Sequence, residues 1–195
     1  MNLSTPVREL SLCAMDFETT GAVPGFPVEP WQVGMVAITN GRVVPESAFE
    51  SWLRVAPDRP FNRRAPGRHA QIRDTLAQSP TMAELWPELE PRCVGVPIVA
   101  HNIGTERTML TKSAPLHQFG PWVDTLALIR RVCPGLHSKA LNDVVTALNL
   151  QSRLNELCPR APHDALYDAF ACAVLLEWLL SQPGWEQLPL RAVIA

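Results

Sequence analysis

No CxxC pair, internal repeat or low-complexity tract occurs in the 195 residues, and the net charge is only −2. The five cysteines (Cys13, Cys93, Cys133, Cys158, Cys172) are scattered, mostly within apolar segments. That pattern fits buried, reduced thiols rather than a disulfide framework or a zinc site. The longest apolar stretch, Ala169 to Leu180, is broken by Glu177 and is too short to span a bilayer. The N-terminus, MNLSTPVREL, lacks a basic segment followed by an apolar core, so a cytoplasmic chain with no signal peptide and no membrane partner is expected. A near-neutral balance does not advertise nucleic-acid binding. What is present is 47% hydrophobic and 18% charged residues, a globular composition long enough for one domain over 1–195.

The charge is nevertheless uneven. Arg54, Arg59, Arg63, Arg64, Arg68 and Arg73 crowd one stretch, which is either a phosphate-contacting surface or a solvated basic loop. Ahead of it, Leu10 to Phe17 is almost wholly apolar and reads as a central strand buried on both faces. Gly21 to Pro30 is a loop, Trp31 to Thr39 a second strand, Asn40-Gly41 a hairpin turn, and Ser47 to Val55 a third strand. Arg59 to Gln78 resists assignment. Beyond it, helical stripes at Pro80 to Leu89, Gly104 to Ser113, Val123 to Val132, Ala140 to Leu148 and Asp164 to Leu180 surround a short strand, Pro97 to Ala100. Strands first, then strands and helices interleaved, predict a mixed-sheet α/β domain. The C-terminal SQPGWEQLPLRAVIA is short and apolar and is expected to pack on the domain.

Carboxylates stand at positions where burial is expected. Asp16 and Glu18 end the first strand two residues apart, so they share a face. Paired acids at the end of an apolar strand repel and lose water, costs a divalent cation would offset; two exposed acids are the alternative. In HDALYD, Asp164 suits a helix N-cap, whereas Asp168 shares a face with Ala165 and Cys172 and looks inward. His163 precedes that helix and can swing toward the same place. In AHNIGTERTML, Glu106 falls on one stripe with Ile103, Met109 and Leu110, which favours a buried acid over a solvated one. His101 and Asn102 fit either capping and turn formation or a cleft lining.

The three segments DFETTG, AHN with an acid four residues after the Asn, and HDALYD resemble the DEDDh (DnaQ-like) 3′–5′ exonucleases, over about Leu10 to Leu180. The resemblance implies a ribonuclease-H-like fold: a mixed β-sheet, three antiparallel strands then parallel ones, flanked by helices. It implies two Mg²⁺ (or Mn²⁺) held by Asp16, Glu18, Asp168 and Glu106, with His163 as general base. Glu106 stands where the family has Asp, and Thr105 where it usually has an aromatic residue. Thr19, Thr20, Gly21, His101 and Asn102 would contact the substrate, and Phe26 or Trp31 would stack on a base. The expected partner is a single-stranded DNA or RNA 3′ end, with a homodimer or a polymerase as possible protein partners. Two ions can hold a water on one side of a phosphate and the leaving oxygen on the other, and an imidazole can take the water's proton at neutral pH. A different class of reading also stands: a catalytically impaired relative serving as a nucleic-acid- or polymerase-binding module.

Overall fold

The structure is a computed structural model that describes residues 1–185 and 187–195, Ala70 by its backbone only. In chain order the elements are β1 (Ser11–Thr19), β2 (Pro30–Thr39), β3 (Arg42–Trp52), α1 (Arg73–Gln78), α2 (Met82–Cys93), β4 (Ile98–Ala100), α3 (Gly104–Ser113), β5 (Trp122–Asp124), α4 (Thr125–Val132), α5 (Leu141–Ala147), α6 (Gln151–Leu157) and α7 (Ala165–Leu180). The five strands form one mixed sheet in the order β3-β2-β1-β4-β5. β1, β2 and β3 pair antiparallel, and β4 and β5 add in parallel.

The apolar run of β1 is explained by a sheet covered on both sides. Leu12 and Ala14 face α7 together with Val36 and Ile38 of β2. Cys13, Met15 and Phe17 face the opposite layer, which holds α2 and α3. Asp16 and Glu18 continue the row of Leu12 and Ala14, so both carboxylates project on the α7 side. The β2–β3 turn at Asn40-Gly41 has φ of 54° and 69°, the left-handed pair that a tight two-residue hairpin requires.

Close packing sets the height of α7 above the sheet. Gly34 lies opposite Asp16 in the β1–β2 register. A Cβ placed on Gly34 would come within 2.3 Å of the Ala165 carbonyl and the Leu166 nitrogen. Gln32, opposite Glu18, is buried and accepts a hydrogen bond from the Ala165 amide at 3.1 Å. The first turn of α7 is thus seated directly on the strand that faces the two acids.

β1 and β4 pair only at Cys13↔Ile98 and Ala14↔Val99. Beyond Ala14 the two parallel strands separate, leaving a crevice at their carboxyl ends, the usual place for a ligand in such sheets. The C-terminal tail packs on the domain as expected: Leu190 and Val193 are buried in the core, and the Ala195 amide donates to the Trp122 carbonyl. Glu186, within that tail, lies outside the described residues. No described helix is long and apolar enough to cross a membrane.

Candidate metal-dependent active site

Three elements bring the four acids together at the crevice. β1 supplies Asp16 and Glu18, α3 supplies Glu106, and the first turn of α7 supplies Asp168. His163, just before α7, completes the group. Candidate ligand atoms of Glu18, His163 and Asp168 all lie within 4.8 Å of one another. Asp16, His163 and Asp168 line a cleft of about 330 Å³ together with His101 and with Asn142 and Asp143 of α5.

The charges crowd one another. Burial, then the charges of Glu106, Asp168 and Glu18, hold the Asp16 carboxyl far above the ordinary range. Burial, then Asp168, Asp164 and Glu106, raises Glu18 to about 8. Burial raises Glu106 to about 7, against hydrogen bonds from its own amide and that of Phe17. Burial likewise raises Asp168 to about 6, although the His163 amide donates to its Oδ2 at 3.0 Å. No described guanidinium or ammonium forms an ion pair with any of these four.

Asp164 stands apart. It caps α7 by accepting from the Tyr167 amide at 3.3 Å, and Arg160 and Arg68 pair with it at 3.2 and 3.4 Å. Arg160 is itself anchored on Glu50.

These residues fit a divalent cation. The donor set is carboxylate oxygens plus an imidazole, Glu106 is 3% exposed, and its Oε2 has no hydrogen-bond partner. A cation would relieve both the repulsion and the orphaned oxygen.

Glu106 reaches the site by an unusual route. Its helix packs on the far face of the sheet through Met109 and Leu110. The Cys13 amide points toward the β4 side, donating to the Pro97 carbonyl, so the Phe17 amide points the same way with no strand beside it. Glu106 occupies that gap, taking the Phe17 amide as it enters the crevice.

The other residues named from the sequence are placed variously. Thr20 is fully buried, and its Oγ1 accepts from the Glu29 amide at 3.1 Å and from Arg59 at 3.2 Å, so its hydroxyl holds the following loop. Thr19 accepts from the Gly21 amide at 3.3 Å, beside the strand end. His101 donates from Nε2 to the Lys139 carbonyl at 2.8 Å, and its Nδ1 meets Thr125 Oγ1 at 2.9 Å; its ring lines the cleft with both nitrogens engaged. Burial favours its neutral form. Asn102 is exposed, in the left-handed region at φ 68°, and its amide donates to Asp124 Oδ1 at 2.9 Å. Trp31 cannot stack on a base: it is 1% exposed, lies 5.9 Å from Trp52 and donates to the Thr19 carbonyl. Phe26 is exposed at the tip of the loop, with Arg59 over its ring at 4.9 Å.

Asp124, Gln32 and Arg160 were not singled out from the sequence as site residues, and Arg68 only as part of the arginine stretch. Asp124 gave a signal, a carboxylate opening a helix. Gln32 gave none, because its partner Ala165 is 133 residues away.

Comparison with known proteins agrees with this architecture. Residues 13–176 match the family model described as "Exonuclease" (RNase_T). Exodeoxyribonuclease 10 of Escherichia coli is 28% identical over 174 residues, covering 88% of this chain and 69% of that protein. A "DNA polymerase III subunit epsilon-like protein" of Rhodobacter capsulatus is 28% identical over 172 residues, 87% of this chain but only 23% of its own length. Among solved structures, the nuclease domain of 3′hExo, a DEDDh family member bound to rAMP, superposes with a TM-score of 0.68 at 15% identity, covering 90% of this chain and 94% of that one. Escherichia coli exonuclease I in complex with a dA13 oligonucleotide gives 0.63 at 13% identity, covering 89% and 41%. With the family model spanning both the β1 acids and the α7 acid, the chain belongs to the exonuclease family, in its DEDDh (DnaQ-like) superfamily.

Proposed function

We propose that this chain is a metal-dependent 3′–5′ exonuclease that releases 5′-mononucleotides from the end of a single DNA or RNA strand. One observation carries the reading: Glu18, His163 and Asp168 present ligand atoms within 4.8 Å of one another, with Asp16 and Glu106 pressing on the same point. Asp16, Glu18, Asp168 and Glu106 would hold the cations. Divalent ions there supply a water acidic enough to attack near neutral pH and offset the charge building on the phosphate.

The chain's own groups do the rest. His163 is exposed at the cleft edge, where its imidazole can take a proton from the attacking water. Its φ of 65° is a costly conformation for a residue with a Cβ, and its amide's bond to Asp168 holds it there. Gly34 and Gln32 fix the first turn of α7, and hence His163 and Asp168, against β1. Phe26 offers an aromatic face for a base.

Retention of all four acids and of the histidine supports the enzyme over the impaired module. The Escherichia coli relative's name, exodeoxyribonuclease, favours DNA as the better substrate, and the Rhodobacter capsulatus relative's name keeps a polymerase among the candidate partners. The test is digestion of matched, 3′-labelled single-stranded DNA and RNA with Mg²⁺ at pH 7 to 9, with Asp16→Ala as control. Release of labelled mononucleotide by the native chain alone is expected. No metal-dependent product from either strand would overturn the reading.

A further inference from the structure

The segment between β3 and α1 is long and has little regular structure; with Arg73, the first residue of α1, it carries six arginines against one acid, Asp58, in a chain of net charge −2. Long connections of this kind in compact domains usually have a task. The structure divides the arginines into two sets.

Three are engaged in holding the fold. Arg54 donates to the Ser79 carbonyl at 2.7 Å and pairs with Glu84. Arg59 is 5% exposed and is held by Glu29, Thr20 and the carbonyls of Pro27 and Pro60. Arg73 donates to the Pro57 carbonyl and covers the Phe61 ring at 4.4 Å.

The other three are outward. Arg63 and Arg64 are exposed, and neither side chain has an acidic partner among the described residues. Arg68 is 63% exposed, with a single 3.4 Å contact to Asp164. Arg160 pairs with the same carboxylate, so Arg68 can leave without stranding a buried charge.

The segment is stitched across the mouth of the site. At one end the Asn62 amide donates to the Thr20 carbonyl and its Nδ2 to the Ala22 carbonyl, both at 2.8 Å. Farther along, Phe61 stacks on His69 at 4.4 Å, and Gly67 packs beneath the Trp31 ring and beside the His163 carbonyl. Arg68, Arg160 and His163 line a cleft of about 420 Å³. His163 also walls the acidic cleft. Pro162 and His163 therefore form the wall between the acidic cleft and one that holds two arginines and Asp164.

We propose that Arg63, Arg64 and Arg68 bind successive backbone phosphates of the incoming single strand, leaving the acidic pit to the phosphate under attack. This rests on the nuclease reading. An acidic pit repels a polyanion until cations fill it, and a basic strap beside it supplies attraction that does not depend on the metals.

The test measures binding of a hydrolysis-resistant phosphorothioate dT12 by fluorescence anisotropy in Mg²⁺ across a range of KCl. Each phosphate contact to a single strand contributes a slope of about −0.7 to log K against log salt. Arg63→Ala/Arg64→Ala is expected to weaken binding and to make the slope shallower by about 1.4, and Arg68→Ala by about 0.7. Lys112→Ala/Arg131→Ala, which removes two exposed cations elsewhere, is expected to leave the slope unchanged. An unchanged slope in the strap variants, or an equal loss in that control, would overturn the proposal. Digestion of ordinary dT12 is followed in parallel. If the native chain binds through the strap but never cleaves, the nuclease reading fails and the strap stands. If it cleaves while the strap variants bind like the native chain, only the strap fails.

Discussion

Glu106 enters the crevice from the sheet face opposite α7, through the gap left where β1 and β4 part. A side chain arriving from that distance has use for an extra methylene, roughly 1.5 Å of reach by ordinary bond lengths. Glu106→Asp is therefore expected to keep metal dependence and to slow strand digestion by less than tenfold. Glu106→Ala is expected to slow it at least a hundredfold at saturating Mg²⁺; an unchanged rate would make the residue purely structural. A second expectation at this scale concerns pH. Glu18 and Glu106 have folded-state pKa values near 8 and 7, above the ordinary glutamate value. The folded protein then holds more protons than the unfolded chain between those limits. The stability so contributed is fully present below about pH 4.5 and is lost as pH rises through about 7 to 8. Thermal melts in EDTA are expected to fall from pH 6 to pH 8.5, and Mg²⁺ is expected to flatten that fall while releasing protons in calorimetry. A metal-free melt that rises over this range would contradict the placement of these acids.

At the scale of elements, the contact of α7 with β2 governs the site more than any hydrogen bond does. Gly34→Ala would force the first turn of α7 outward, carrying Asp168 and His163 with it. Overpacking of this kind costs about 1–3 kcal/mol. The expected result is a lower Tm together with a Mg²⁺ affinity that falls further than in a variant of equal stability altered elsewhere. Gly135→Ala, where an added methyl meets nothing within 4 Å, serves as the comparison. The elements themselves were unevenly legible. The Leu10 to Phe17 run, the Asn40-Gly41 turn and the Glu106 stripe were readable because each is local and periodic. β5 was not, since Val123 and Asp124 run directly into α4 and read as that helix's first turn. The stripe of α2 is readable only to Leu89, whereas the helix continues through Pro91 to Cys93. The arginine stretch could not be divided from sequence, because what separates Arg59 from Arg63 is a set of carbonyls from Pro27 and Pro60 and the hydroxyl of Thr20.

For the molecule as a whole, the acids tie β1, α3 and α7 to one point, and these elements come from both layers around the sheet. Cations bound there would bridge the two layers. At pH 8, Mg²⁺ at a hundred times its Kd is expected to stabilise the fold by about 2.7 kcal/mol. Protection from hydrogen exchange should rise together at the end of β1, in α3 and in the first turn of α7. Protection confined to α7 would show that Glu106 stays out of the shared site. The guanidinium clamp on Asp164 has a bearing here. With Arg160 and Arg68 on that carboxylate, Asp16, Glu18, Glu106 and Asp168 remain as four acids with no basic partner, and they would carry four negative charges once bound cations displaced their protons. Four is the charge of two divalent cations. Treated as an ion exchanger, the crevice has its capacity trimmed from five equivalents to four by two arginines that touch none of those four acids.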